Sequence, residues 1–402
     1  MRRLAAAQLA NSIGDGAFYV TSALYFTRVV GLSATQVGLG LTIAWAVGFT
    51  AGVPLGHLAD RYGPRRLALL LALTTAGAIT VFQFTHGLLA FILAACLYTS
   101  CQCGLTAARQ ALLAGLVEPA HRTEARAGIQ AAVNGGLALG AGLGGLALYF
   151  DVTAAYMAVF AIDAVSFLVC ALILRPLPEV RSTPSAGPKL AVLRDKPYAL
   201  LSFLNMIMLL HVPLITLAIP LWIVQRTDAP RWMVSALLVI NTITVVLFQI
   251  RVARKVVDLK SAARSSRFAG VMLLAACVVF ALTGIGLSAW VATAVLIVAA
   301  LLQTVGEMAQ SAGAWQISFD LAPPDKHGQY QGLFGNGLAV ARVIAPLLLT
   351  TLILAWGMPG WIVLGGVFLV TSLVIGPAVR WAERSRATNA GNALDAETTV
   401  VV

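Results

Sequence analysis

Charge is what this sequence has least of. Only 11% of its 402 residues are Asp, Glu, Lys or Arg, while 59% are hydrophobic, and the mean hydropathy is +0.87. A soluble chain carries roughly 25% charged residues, so a water-soluble globule is excluded and the chain belongs in lipid. Acids are scarcer still, 16 against 27 bases, for a net charge of +11. Such an excess raises the question of nucleic acid. The bases, however, lie in short clusters between apolar runs rather than on a basic face interleaved with aromatics, so no nucleic-acid partner is expected. Cysteine is equally sparse. Cys96, Cys101, Cys103, Cys170 and Cys277 all fall in apolar segments, and an odd count without paired spacing gives no disulfide framework. The Cys101–Cys103 pair fits neither a redox CxxC nor a zinc site, so no metal and no cofactor is expected. The chain also lacks any large soluble domain, which argues against a transport-inactive scaffold or sensor, and nothing points to an enzyme.

What is present is a succession of apolar runs, each near the ~20 residues that cross a bilayer. They fall at about 5–28, 35–57, 66–85, 88–117, 123–149 and 152–174, then at about 197–225, 231–251, 267–286, 289–319, 328–355 and 358–381. This predicts an all-α integral membrane protein of twelve transmembrane helices. Spans 4 and 10 are long enough to tilt or to extend beyond the lipid. The opening MRRLAAAQLANSIGDG begins like a signal peptide, but Asn11 and Asp15 interrupt its apolar run, so it reads as the first span, retained.

The basic residues orient the chain. With the N-terminus inside, 22 of the 27 fall in cytoplasmic segments, among them Arg122 and Arg126 at the start of span 5. Only Arg28, Arg226 and Arg231 fall outside, and Arg109 and Arg342 lie within spans. By the positive-inside rule both termini are cytoplasmic, in a cell membrane expected to be a bacterial inner membrane. Residues 175–196, RPLPEVRSTPSAGPKLAVLRDK, carry four prolines and mixed charge and read as a cytoplasmic linker. They divide a first six-helix half, 1–174, from a second, 197–382. The polar tail 383–402 is expected to be disordered. The halves echo each other: Gln130 precedes Gly136-Leu137-Ala138 as Gln331 precedes Gly337-Leu338-Ala339, an offset of 201 residues. Repeated halves around a central cavity are the architecture of secondary transporters.

Between spans 2 and 3 the chain reads GHLADRYGPRRLAL from Gly56. Gly56, Leu58, Asp60, Arg61, Gly63 and Arg65 match the loop signature G-x-L-a-D-r-x-G-r-k, with Pro64 at the first of the last two basic positions. With the twelve spans and the central linker, this loop resembles the major facilitator superfamily over the whole chain. The resemblance implies two pseudo-symmetric six-helix bundles that rock about a central cavity. It also implies that this loop locks the halves on the cytoplasmic side, with Asp60 gating rather than binding substrate. The matching loop of the second half, RVARKVVDLKSAARSSR, keeps Asp258 but lacks the glycines.

Ionisable side chains inside a span are costly and must be paired or face a wet cavity. Asp15, Arg109, Asp163, Glu307 and Arg342 are the ones here. Matching depth suggests two acid–base pairs, Asp15 with Arg109 and Glu307 with Arg342, and makes these four the proton-coupling candidates. Asn11, four residues before Asp15, lies on its face of the helix. Asn11, Gln303 and Gln310 are the substrate-cavity candidates, a polar set that suits loosely held cationic or neutral cargo. Asp163 reads as a packing residue of span 6, and His211, two residues before Pro213, as a helix-bend residue. Proton-coupled relatives by resemblance often carry l-x-x-R-x-x-q-G-x-g-a-A in span 4. Here LYTSCQCGLTAA keeps Gly104, Ala107 and Ala108 but has Ser100 in place of the arginine.

Residues 134–145, NGGLALGAGLGG, place Gly136, Gly140 and Gly144 at every fourth position, a spacing that lets membrane helices pack closely. Exporters of the resembled superfamily carry G-x-x-x-G-P-x-x-G-G in span 5. Gly136, Gly140, Gly144 and Gly145 match it, with Ala141 at the proline. The resemblance therefore implies a secondary active exporter of small amphipathic or hydrophobic compounds. It would work as a monomer in the lipid bilayer, exchanging its small-molecule substrate for protons and powered by the proton gradient. An importer or symporter of a small metabolite is the alternative.

Overall fold

The computed structural model describes residues 2–180, 191–230 and 232–400; residues 181–190 of the expected linker lie outside that description. Among the described residues every regular element is helical, as backbone groups with no water to satisfy them require. The first half comprises α1 (Arg2–Leu24), α2 (Ala34–Tyr62), α3 (Pro64–Phe82), α4 (Leu88–Leu116), α5 (Arg122–Phe150) and α6 (Thr153–Leu174). Local chemistry sets several boundaries. Ser33 and Gln36 form a reciprocal capping box at the start of α2. Gly63, at φ 96°, makes the left-handed turn between α2 and α3, and Pro64 opens α3 where its missing N–H costs nothing.

The second half comprises α7 (Lys196–Met208), α8 (His211–Pro213), α9 (Ile219–Arg226), α10 (Met233–Ala253), α11 (Leu259–Leu282), α12 (Ala289–Asp320), α13 (His327–Gly335), α14 (Gly337–Leu349) and α15 (Met358–Val400). Asp195 caps α7 through the Tyr198 amide at 3.1 Å, and also accepts from the Tyr330 hydroxyl at 2.8 Å and from Arg386 at 3.2 Å. One carboxylate thereby ties together the starts of α7 and α13 and the interior of α15.

Among the described residues ten helices, or eleven counting one bent pair, are long and apolar enough to cross a membrane. The remaining expected span is α1, whose 23 residues reach about 35 Å but whose polar residues lower its hydropathy. Two spans read as continuous are broken. Span 7 is interrupted between α7 and α9, with a π-helical turn at Leu214–Ala218 directly after Pro213. Span 11 breaks at Asn336 between α13 and α14 and bends by 51° further on, with Pro346 between the two limbs. The helix expected to stop near residue 381 continues to Val400, through the tail expected to be disordered.

Among the described residues two large hydrophobic cores form, beside a small cluster of Ala17, Ala147 and Val159. One gathers α1, α3, α4 and α6 around an aromatic cluster that includes Phe18, Phe26, Phe82, Phe91 and Phe160. The other gathers α7 and α9–α15, with Trp222, Phe280 and Trp361 packed together. Outside them, large apolar side chains such as Leu70, Leu89, Leu172 and Leu347 stand exposed. In water so much exposed apolar surface would be a liability, whereas facing lipid tails it is the expected exterior.

The glycine stripe of α5 meets α1. A methyl group on Gly136 would sit 2.9 Å from the Leu9 carbonyl oxygen and one on Gly144 2.9 Å from that of Ala17, and at Gly140 it would overlap the Ile13 carbonyl. Gly16 of α1 faces Leu137 in return. Gly145, the fourth glycine of the motif, has open space and takes no part in this seam. At the offset of 201, Gly337 lies against Met206 and Leu209 of α7 just as Gly136 lies against Leu9 and Ser12 of α1.

Candidate functional site

Between the two halves lies a cavity of about 470 Å³. Its walls include Asp15, Tyr19, Gln102, Arg109 and Arg126 from the first half and His211, Glu307, Gln310, Trp315 and Arg342 from the second. The polar residues lie on the inward faces of α1, α4, α5, α12 and α14, where neither lipid nor a packed core covers them.

The acid–base pairs expected from depth do not form. Asp15 accepts hydrogen bonds from the amides of Asn11 at 2.9 Å and Gln102 at 3.2 Å, and Gln102 also donates to the Tyr98 hydroxyl at 3.1 Å. Arg109 gives its guanidinium to Gln8 at 2.9 Å, to the Asn11 carbonyl oxygen at 2.6 Å and to the Cys170 sulfur at 3.0 Å. Asn11 therefore stands between acid and base and bonds to both. Glu307 accepts from Asn241 at 2.9 Å, and Arg342 lies 5.3 Å from the centre of the Trp45 ring. Equal depth on two helices says nothing about which faces point at each other, and that is why the depth argument failed.

Two of the three cavity candidates also sit elsewhere. Asn11 is fully buried behind Asp15. Gln303 is buried and donates to the His211 carbonyl oxygen at 3.3 Å, supporting the break in span 7. Gln310 does line the cavity, bonding Asn205 at 2.8 Å and meeting the His211 ring at 3.4 Å. Asp163 is buried beside Ser166 and within reach of Gly14. Gln102, Asn241, Arg126 and Trp315 were not singled out from sequence. One signal could have found Gln102: it precedes Gln303 by the same offset of 201. The charge pattern counts Arg126 as cytoplasmic, and the structure places it one turn inside α5, facing the cavity.

At the end of the bundle where the basic loops gather, the halves are fastened together. Both carboxylate oxygens of Asp60 accept backbone N–H bonds from the first turn of α13, from Gly328 at 2.5 Å and Gln329 at 3.0 Å. Gly56 and Gly328 meet backbone to backbone with no room for a side chain on either. Arg254 donates to Glu124 at 2.8 Å and Thr123 bonds Gln316, while further along α2, towards the middle of the span, Asn336 donates to the Phe49 carbonyl oxygen at 2.7 Å. The loop motif divides its labour: Arg65 and Arg66 hold Glu179, at 2.6 and 2.7 Å, Arg61 lies over the neighbouring Tyr62 ring, and Gly63 makes the turn. At the opposite end, Arg28 with Asp151 and Arg226 with the Leu354 carbonyl each stay within one half. Among the described residues Asp258 bonds to no other helix. It caps α11 through Ser261, and those bonds hold its carboxyl below the usual carboxylate range.

A membrane-spanning helical protein with a polar cavity between two bundles, fastened at one end, is built as a transporter. The comparisons agree. The chain belongs to the Major Facilitator Superfamily, whose family profile matches residues 4–346. A crystal structure of a bacterial homologue of the iron transporter ferroportin in an outward-facing state superposes with a TM-score of 0.76 at 14% identity, covering 95% of this chain and 99% of that one. The crystal structure of the human organic anion transporter MFSD10 (TETRAN) gives 0.70 at 16% identity, covering 93% and 99%. Likeness at this identity is likeness of fold. No curated protein matches the chain by sequence.

Proposed function

We propose that this transporter exports small amphipathic or hydrophobic compounds by alternating access, in exchange for protons. It would act as a monomer in a cell membrane, with both termini cytoplasmic. The observation that carries the reading is the cavity itself, with a carboxylate from each half, Asp15 and Glu307, each held by amides instead of a salt bridge. An arginine partner would favour the ionised acid alone. An amide can donate N–H to a carboxylate or accept from a carboxylic acid, so it serves both protonation states. The basic end, cytoplasmic by the positive-inside rule, is the fastened one, which makes this arrangement the outward-facing state. The glycine seam between α1 and α5 supports export through its match to the exporter signature.

The test is accumulation of fluorescent amphiphiles in cells making wild type or Asp15→Asn, with and without a proton gradient. Wild type is expected to lower accumulation only when the gradient is present, and Asp15→Asn to lose that effect. Unchanged accumulation across a broad panel would sink the export reading, and proton-coupled uptake into right-side-out vesicles would favour a symporter.

A further inference from the structure

Arginines outnumber acids around the cavity. Arg109, Arg126 and Arg342 line it against Asp15 and Glu307 alone, and among the described residues none of the three makes an ion pair. Arg109 is engaged by Gln8, Asn11 and Cys170. Arg126 is different. Its guanidinium lies 5.1 Å from the centre of the Trp315 ring, and its Nε is buried without a hydrogen-bond partner. The acid nearest to it in the chain, Glu124, is taken by Arg254. Only the Arg126 Nε is shielded from water; the guanidinium is partly exposed to the cavity and among the described residues has no counter-charge, which an anion entering the cavity would supply.

We propose that the cargo is an amphipathic organic anion whose carboxylate or sulfonate lies on Arg126 and whose apolar ring lies against Trp315. This deepens the export reading above and rests on it. It reverses the cationic or neutral cargo that the polar residues of the sequence suggested. The planar guanidinium offers a two-pronged match to such a group, and an indole face suits both the cation and a flat ring. Arg126 belongs to α5 and Trp315 to α12, so the site is shared between the halves. It lies within one turn of the Thr123–Gln316 bond and the Glu124–Arg254 pair that fasten the basic end. An anion admitted when that end opens would meet Arg126 first, and the rocking that parts the halves would part the two sides of the site.

The experiment compares three probes of matched size in energised inside-out vesicles: 1-pyrenebutyrate, its methyl ester, and a pyrenylbutyl trimethylammonium. Wild type is expected to transport pyrenebutyrate best. Arg126→Gln should raise its KM at least roughly tenfold, far more than for the ester, and Arg126→Lys should fall between, keeping the charge without the fork. Preference for the cation or ester in wild type, or an equal loss for all probes in Arg126→Gln and Arg126→Lys, would overturn the proposal. If no probe moves, the export reading has failed, and energy transfer from tryptophan to pyrenebutyrate on the purified protein then decides the site. Saturable transfer that Arg126→Gln abolishes and the ester cannot compete for supports the anion site, and its absence in wild type overturns it.

Discussion

Asp60 fastens the halves with two oxygens on two successive backbone amides at a helix N-terminus, an arrangement that uses the carboxylate's negative charge. Asp60→Asn keeps the shape but loses the charge and one of the two acceptors. Hydrogen bonds to charged groups contribute about 1.5–3 kcal/mol, so the replacement should shift the equilibrium toward opening at the basic end by about tenfold or more. A spin-label pair at Tyr62→Cys and Lys326→Cys should then show a larger long-distance population. Asp258, its counterpart in the second half, caps α11 only. Asp258→Ala should cost about 1 kcal/mol of stability, the ordinary loss of a cap, and leave that distance distribution unchanged. The loop motif made Asp60 legible in the sequence. Arg126 was not legible, because its role depends on Trp315 of α12, in the other half of the chain, being packed beside it.

At the scale of the element, the α1–α5 seam makes a sharp contrast within a single motif. Gly140→Ala would press a methyl group onto the Ile13 carbonyl and should cost about 1–3 kcal/mol by overpacking. Gly145→Ala meets open space and should leave thermal unfolding in detergent unchanged. Periodicity made the stripe visible, and the structure showed which glycines face the partner helix. The start of the linker is held by charge. Arg65 and Arg66 lower the Glu179 carboxyl below its ordinary range through direct hydrogen bonds. A depressed folded pKa means the attachment is complete above the unfolded value, about 4.3, and is lost as pH falls through the lower folded value. A spin label at Val180→Cys should therefore stay immobile from neutral pH to about 4.3 and loosen only below it. Glu179→Gln should be loose throughout. The breaks in spans 7 and 11 were hidden from hydropathy, which averages over windows longer than the breaks themselves.

For the whole molecule, the decisive property is that polar residues scattered along the chain converge on a cavity between the two halves. Composition alone determined that this chain lives in lipid, because so few charges cannot keep so much apolar surface in water. The distribution of Lys and Arg predicted its orientation, the apolar runs its helices, and the loop motif and the 201-residue echo its family and repeated halves. These are one-dimensional properties, readable because lipid thickness fixes span length and the positive-inside rule acts on the chain in order. Tertiary structure decided what each intramembrane charge meets: Asp15 its amides, Arg109 an asparagine and a cysteine, and Arg126 a tryptophan with no acid. Partners in a membrane bundle depend on the rotation of each helix about its axis and on which helices are neighbours. No single helix encodes either, and both arise only when all of them pack.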